Sequence, residues 1–352
     1  MAKQVVIQNP VINSPFVEPR WHFRFDDDGI TDDIANGRRD SCYFVPIAQP
    51  RKKGPKQLLL DAEWTKDRIE ENRMVNAIRR KVKTWREGRD SDDATRVTAR
   101  LLEHWRRNDR FRRLFFCQIE AMETLIYITE VAKKYGDNAI ENDLRDANAD
   151  ANPDLFRVAC KMATGSGKTV VMAMLIAWQA LNKFASKQDP RFTDSFLIVT
   201  PGITIRDRLR VLLPSDPSNY YRAMDIVPPD MLDQLGQARI IITNFHTFLH
   251  REKVKAGKLT KDILTQGKDA VPSAFTESEG EMVRRVCRGL GTGKELIVIN
   301  DEAHHCYRRR VGGIEEKLTG DARIEAKKRD EAARVWISGL EAVQRKLGIK
   351  AV

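Results

Sequence analysis

The run Lys161-Met162-Ala163-Thr164-Gly165-Ser166-Gly167-Lys168-Thr169 is followed at once by the longest apolar stretch of the chain, Val170 to Trp178. A helix that is apolar on nearly all sides leaves no face for solvent, so other elements must enclose it. Shorter runs of strand length flank it: Phe156 to Cys160 just before the glycines, then Phe196 to Thr200, Ile240 to Thr243 and Leu296 to Asn300. Short strands separated by helical stretches predict a parallel sheet covered by helices on both faces, an α/β fold.

The glycines carry chemistry as well as shape. Phosphate binding needs several backbone N–H groups converging on one anion, which a glycine-containing loop at the start of a helix supplies. Thr164, Gly165, Ser166 and Gly167 form such a loop, Lys168 is placed to neutralise β- and γ-phosphates, and Thr169 offers a hydroxyl to Mg²⁺. One position departs from the G-x-x-x-x-G-K-[ST] pattern: Met162 stands where its first glycine belongs. The alternative is a flexible glycine turn with an incidental lysine. Far downstream, Val298-Ile299-Asn300 ends in Asp301-Glu302-Ala303-His304-His305. Adjacent carboxylates at the C-terminal end of a parallel strand lie where such sheets bind ligands. Asp301 can hold Mg²⁺ through water, Glu302 can orient and deprotonate an attacking water, and His304 follows as a coupling residue. The plainer reading is a solvent-capped strand end. His305 and Cys306 are expected to pack. A second glycine stretch, Gly289-Leu290-Gly291-Thr292-Gly293-Lys294, leads into a strand instead of a helix and is read as a loop.

Gln118 lies upstream on a helical stretch, where its amide can present a donor and an acceptor to an adenine edge; a lone Gln on such a helix is equally a surface residue. After the second and third strands come Thr200-Pro201-Gly202-Ile203-Thr204-Ile205-Arg206 and Asn244-Phe245-His246-Thr247. Thr200, Pro201, Gly202, Arg206, Asn244 and His246 supply hydroxyl, amide and cationic groups suited to a nucleic-acid backbone. The same residues suit strand-ending turns capped by Thr and Asn, and both readings stand.

An excess of Lys and Arg over Asp and Glu, 61 against 50, gives a net charge of +11, and a basic chain of this size favours a polyanionic partner, nucleic acid before others. The five cysteines are scattered without a C-x-x-C pair, which excludes a readable disulfide framework or zinc knuckle and fits a reducing, cytoplasmic compartment. No leader pattern opens the chain, and Val170 to Trp178 is too short to cross a bilayer, so neither export nor membrane insertion is expected. Residues 1–110 read as an extension, irregular and strand-like to about Pro55 and then helical and basic from Leu58, with acidic residues interspersed among the basic ones. Leu114 to Lys134 has a helical period, and Gly136 to Asn152 reads as an acidic, Asn-rich loop. Residues 111–352 read as the α/β domain, with extra helices or inserts in Arg206 to Gln237 and His250 to Lys294.

These blocks, in this order, resemble the first RecA-like P-loop domain of superfamily 2 helicases of the DEAH type. They resemble more closely the Res subunit of type III restriction endonucleases, through Lys161 to Thr169, Ile198 to Leu209 and Asp301 to Tyr307. Asn9-Pro10-Val11-Ile12-Asn13-Ser14-Pro15-Phe16 and Gly37-Arg38-Arg39 resemble the N-terminal segment of one branch of that group. The resemblance implies an ATP-binding and hydrolysing DNA motor using ATP and Mg²⁺, with a repair or RNA helicase fragment, or a truncated non-enzymatic nucleotide-dependent DNA-binding module, as the alternatives. Gln118 then matches the adenine-sensing glutamine, Gly165 to Thr169 the phosphate loop, Asp301 and Glu302 the metal and water pair, and Thr200 to Ile203 a nucleic-acid motif. The implied partners are double-stranded DNA and a DNA-methyltransferase subunit. Such proteins continue into a second RecA-like domain with arginine fingers and a nuclease domain, so slow turnover and no nuclease activity are expected of this chain alone. Glu315-Glu316-Lys317 and Glu325-Ala326-Lys327 fit half a nuclease motif, but in a helical setting unsuited to that chemistry.

Overall fold

The structure is a computed structural model that describes residues 7, 9–26, 29–44, 69–88, 93–151, 154–252, 276–291, 295–303 and 321–352. The chain opens with an antiparallel hairpin, β1 (Trp21–Asp26) and β2 (Gly29–Asn36), and a second small pair, β3 (Cys42–Phe44) with β4 (Ile69–Glu71). Helices α1 (Arg73–Glu87), α2 (Arg96–Arg106), α3 (Phe116–Ile126), α4 (Asn138–Ala151) and α5 (Lys168–Ala185) follow. Then come β5 (Ser195–Thr200), α6 (Ile203–Arg208), the one-turn α7 (Tyr220–Ala223) and α8 (Leu232–Leu235), and β6 (Arg239–Asn244). The described chain closes with α9 (Glu279–Val286), β7 (Leu296–Asn300), α10 (Asp321–Leu347) and β8 (Ile349–Ala351).

The last four strands form one parallel sheet in the order β6-β5-β7-β8. Alternation along each strand sends side chains to opposite faces. Phe196, Ile198, Ile297 and Ile299 join a core with α5 (Val170, Ala173, Met174, Ala177) and with Val82, Trp85, Leu101, Trp105 and Met122 of α1 to α3. Leu197, Val199, Leu296 and Val298 face Met282 and Val283 of α9 and Trp336, Leu340 and Val343 of α10. Each large apolar side chain fully enclosed in this way contributes about 1.5–3 kcal/mol. Both faces are thus covered by helices, the RecA-like arrangement. Among the described residues, no helix is long and apolar enough to cross a membrane.

Two local expectations change. Gly136 to Asn152 is mostly helix α4, not loop. Its Asn and Asp residues are weak helix formers, but Ile140 and Leu144, one turn apart, pack on the core, and Glu141 pairs with Arg145 at 2.8 Å, so packing overrides propensity. The segment Phe156 to Cys160 forms no regular strand. It lies alongside the chain's end through two bonds, Val352 N–H to the Phe156 carbonyl and Val158 N–H to the Val352 carbonyl, both 2.9 Å. With only three residues, β8 has too little length to extend that pairing. The phosphate-loop segment therefore sits beside β8, one strand removed from β7.

α3 is fixed from several sides. Its Glu123 is wholly buried and paired with Arg86 of α1 (2.6 Å) and with Arg106 of α2. Arg38 grips Glu120 with both guanidinium nitrogens at 2.5 and 2.6 Å, and Phe116 N–H donates to the Pro15 carbonyl at 2.8 Å. Breaking a buried pair of the Glu123 kind costs about 3–5 kcal/mol, so this helix is a firm base for whatever it carries.

Candidate active site

Gly165 and Gly167 both adopt φ +79°, a left-handed conformation that costs a residue with a side chain about 1–2 kcal/mol. At Gly167 there is a second constraint, because a Cβ there would stand 2.3 Å from Gln118 Nε2. Ser166 closes the loop on itself: its N–H and its hydroxyl both donate to the Ala163 carbonyl, at 3.3 and 2.6 Å. The N–H groups of Gly165, Gly167, Lys168 and Thr169 have no backbone acceptor among the described residues. They open at the N-terminus of α5, where a helix favours an anion. Thr164 is exposed beside them.

Gln118 is buried against this loop. Its Oε1 accepts from the Phe115 N–H at 2.9 Å, and its Nε2 donates to the Ser166 carbonyl at 3.0 Å. Both ends of the amide are thus engaged, one at the start of α3 and one in the phosphate loop. One N–H of Nε2 and one lone pair of Oε1 remain for a base.

Asp301 and Glu302 emerge where β7 ends, and Asp301 N–H still donates to the Val199 carbonyl at 3.1 Å. Burial first, and the Glu302 charge second, push the Asp301 carboxyl above the ordinary carboxylate range; Lys168 and Arg208 act against that rise. The Lys168 charge, at the start of α5, is thus felt at Asp301, at the end of β7. Glu302 sits at φ +54°, an uncommon conformation for a residue with a side chain and one found at functional sites. Arg208, exposed on α6, is a cation that reading the motifs one at a time overlooks. Its sequence signal is the Arg206-Asp207-Arg208 triplet, and only the folded sheet brings it towards Asp301. His304, His305 and Cys306 lie outside the described residues, as do 292–294 and 315–317.

The loops after β5 and β6 present a different picture. Thr200 is completely buried, its hydroxyl 2.9 Å from the Gly202 carbonyl and 3.3 Å from that of Thr243. Asn244 is also buried, and its Oδ1 has no hydrogen-bond partner among the described residues. Thr247 donates to the Asn244 carbonyl at 2.7 Å. Thr200 and Asn244, read from the sequence as backbone contacts, therefore face inwards, because alternation places them on the same face as Ile198 and Ile242. Pro201 and Gly202 make the turn into α6. Arg206 is partly exposed beside Asp207, at 2.9 Å, and His246 is exposed with its ring stacked on Phe245 at 4.0 Å.

A parallel sheet covered on both faces, a glycine loop opening at a helix N-terminus and a carboxylate pair at the end of β7 define a helicase-type P-loop domain. The family model described as type III restriction enzyme, res subunit, matches residues 113–326. The chain belongs to that family. No curated protein and no solved structure gives a significant match.

Proposed function

We propose that this chain binds and hydrolyses ATP as the motor module of a type III restriction system and works on double-stranded DNA. The observation that carries the reading is the glycine loop that opens unpaired N–H groups at the N-terminus of α5, with the half-buried Asp301 and its neighbour Glu302 at the end of β7, which supports phosphate chemistry at the loop and metal chemistry at the strand end. The residues fit a magnesium ion: a carboxyl raised by burial and by a neighbouring carboxylate gains from a nearby cation, and Thr169, in the first turn of α5, would add a hydroxyl ligand. Asp301 and Thr169 would hold the ion, which would supply neutralising charge to phosphate oxygens. The free N–H groups of Gly165, Gly167, Lys168 and Thr169 hold the phosphates, and Lys168 contributes a mobile positive charge. Glu302 accepts a proton at its carboxylate from the attacking water. Gln118 fixes the loop and offers its remaining N–H and lone pair to the adenine edge. The net charge of +11, with Arg206 and His246 towards solvent, supports a nucleic-acid backbone as the second ligand. A methyltransferase subunit is the partner that directs the motor to its sites.

Calorimetry with Mg-ATP and a duplex-stimulated turnover assay test this together. Glu302→Gln is expected to bind Mg-ATP like the wild type and to lose turnover by about 100-fold or more, the usual range for a positioned general base. Undiminished turnover in Glu302→Gln, or stimulation by RNA alone, overturns the reading.

A further inference from the structure

We propose that Trp336 is a positioning residue that ties the loop after β6 to the carboxylate pair at the end of β7, so that a nucleic-acid backbone on that loop is felt at the nucleotide site. The inference rests on the function proposed above.

The two strand ends are not neighbours. β5 lies between β6 and β7, which puts their ends about 10 Å apart. α10 spans that gap on the face away from α5. Trp336, almost fully buried, stacks its indole parallel to the Phe245 ring (centroids 5.4 Å apart, planes 4° apart). On its other edge the same indole donates its N–H to Asn300 Oδ1 at 3.1 Å, and Asn300 is the residue immediately before Asp301. On the loop side, Phe245 is stacked in turn on the exposed His246 ring. One side chain therefore touches both the segment that would meet the backbone and the segment that carries the metal and water carboxylates.

The loop cannot shift independently of α10. Gly339, three residues after Trp336 and on the same helix face, lies so close beneath Phe248 that a Cβ there would stand 2.2 Å from the ring. From α9, Arg285 donates to the Thr247 carbonyl at 2.9 Å and to the Leu249 carbonyl at 3.1 Å, with Glu277 holding its guanidinium at 2.6 and 2.8 Å. The loop is also left with an incentive to move. Asn244 Oδ1 is buried without a hydrogen-bond partner among the described residues, an unfavourable state that a small rearrangement of the turn relieves. A second position of the loop has to move Phe245, then Trp336, and with it the Asn300 side chain.

The test is a binding linkage, which does not depend on turnover. The affinity of the full chain for a fluorescently labelled DNA duplex is measured with and without Mg-AMP-PNP. In the wild type the nucleotide is expected to change duplex affinity by about fivefold or more, the low end of ordinary coupling. Trp336→Phe keeps a ring in the core and removes the indole N–H. It is expected to bring that ratio close to one while the affinities for Mg-AMP-PNP alone and for duplex alone stay at wild-type values. Phe245→Leu, at a half-buried position, removes the stack from the other side and is expected to collapse the ratio too. Combined, the two are expected to do no more than either alone, since they interrupt one link. A merely structural role predicts the opposite: a lower melting temperature and parallel weakening of both ligands with the ratio preserved. A preserved ratio in Trp336→Phe and Phe245→Leu, or a wild-type ratio of one, sinks the inference. Failure of the wild type to bind either ligand sinks the function proposed above and this inference with it.

Discussion

Along the C-terminal edge of the sheet, the loop before α5 and the loops after β5 and β6 are made of similar residues, Thr, Ser, Gly and Asn, yet they treat their polar groups in opposite ways. Before α5, the N–H groups of Gly165, Gly167, Lys168 and Thr169 lack backbone acceptors among the described residues. After β5 and β6, the Thr200 hydroxyl lies against the Gly202 and Thr243 carbonyls, and Thr247 is bonded to the Asn244 carbonyl. The difference comes from geometry more than from composition. A helix N-terminus has donors that its own backbone cannot satisfy, and left-handed glycines turn them outwards. The last residue of a covered strand has its side chain aimed into the core, where an unpaired hydroxyl is costly. Thr or Asn in such a motif is thus a ligand contact only when its backbone position leaves it one.

The largest effects separate the two loop types by a reciprocal pair. Lys168→Ala is expected to weaken Mg-ATP about 10–100-fold, the loss of a charge-assisted contact of about 1.5–3 kcal/mol, with an unchanged melting temperature. Thr200→Val is expected to do the reverse, lowering stability by about 1–2 kcal/mol as the Gly202 and Thr243 carbonyls lose the one hydroxyl proton they share, with nucleotide affinity intact. Calorimetry and thermal unfolding on both variants check the pair, and a Thr200→Val protein that unfolds normally but loses nucleotide would erase the contrast.

Gly167→Ala comes next and probes the phosphate loop from within. The methyl meets a φ of +79° and the Gln118 amide together. A loss of about 1–2 kcal/mol of stability from the backbone alone is expected, with a further loss because Gln118 must give up the Ser166 carbonyl in the nucleotide-free chain. Gly165→Ala shares the φ but has open space around it. A chemical-denaturation comparison should therefore show the smaller loss at 165; equal losses would mean that the Gln118 contact has no weight.

What the sequence made legible was local. Gly165 to Thr169 could be read because loop, cation and hydroxyl are consecutive, and β5, β6 and β7 because their apolar runs are short and bounded. The helix α4 was not legible, since its Asn and Asp residues argue for a loop and the contacts that hold Ile140 and Leu144 are tertiary. Nor was the irregular course of Phe156 to Cys160, which depends on how little strand β8 offers at the far end of the chain. For the site, residue types sufficed to nominate Lys168, Asp301 and Glu302, but not to place Thr200 and Asn244 indoors. The Gln118 bond to Ser166, the Arg208 charge near Asp301 and the Trp336 bridge each join elements distant in sequence, and no spacing rule announces them.

The smallest expected effect tests how firmly the loop after β6 is held in comparison with the phosphate loop, which is braced by the neutral Gln118 amide instead of a charged clamp. Glu277 is held below the ordinary carboxylate range, first by its hydrogen bonds from Arg285 and, to a lesser extent, by the charges of Arg285 and Arg251. A carboxyl whose folded value is depressed adds stability above its unfolded value and loses it as pH falls through the depressed one. Acidification from neutral pH should therefore loosen the Arg285 clamp on the Thr247 and Leu249 carbonyls only below the normal carboxylate range. Hydrogen exchange at residues 245–249 reads this directly: protection should fall with acid in the wild type, after correction for intrinsic exchange. Glu277→Gln should start lower and vary less with pH. If the wild type and Glu277→Gln lose protection in parallel, Arg285 holds the loop without Glu277, and the brace belongs to α9 and α10 packing alone.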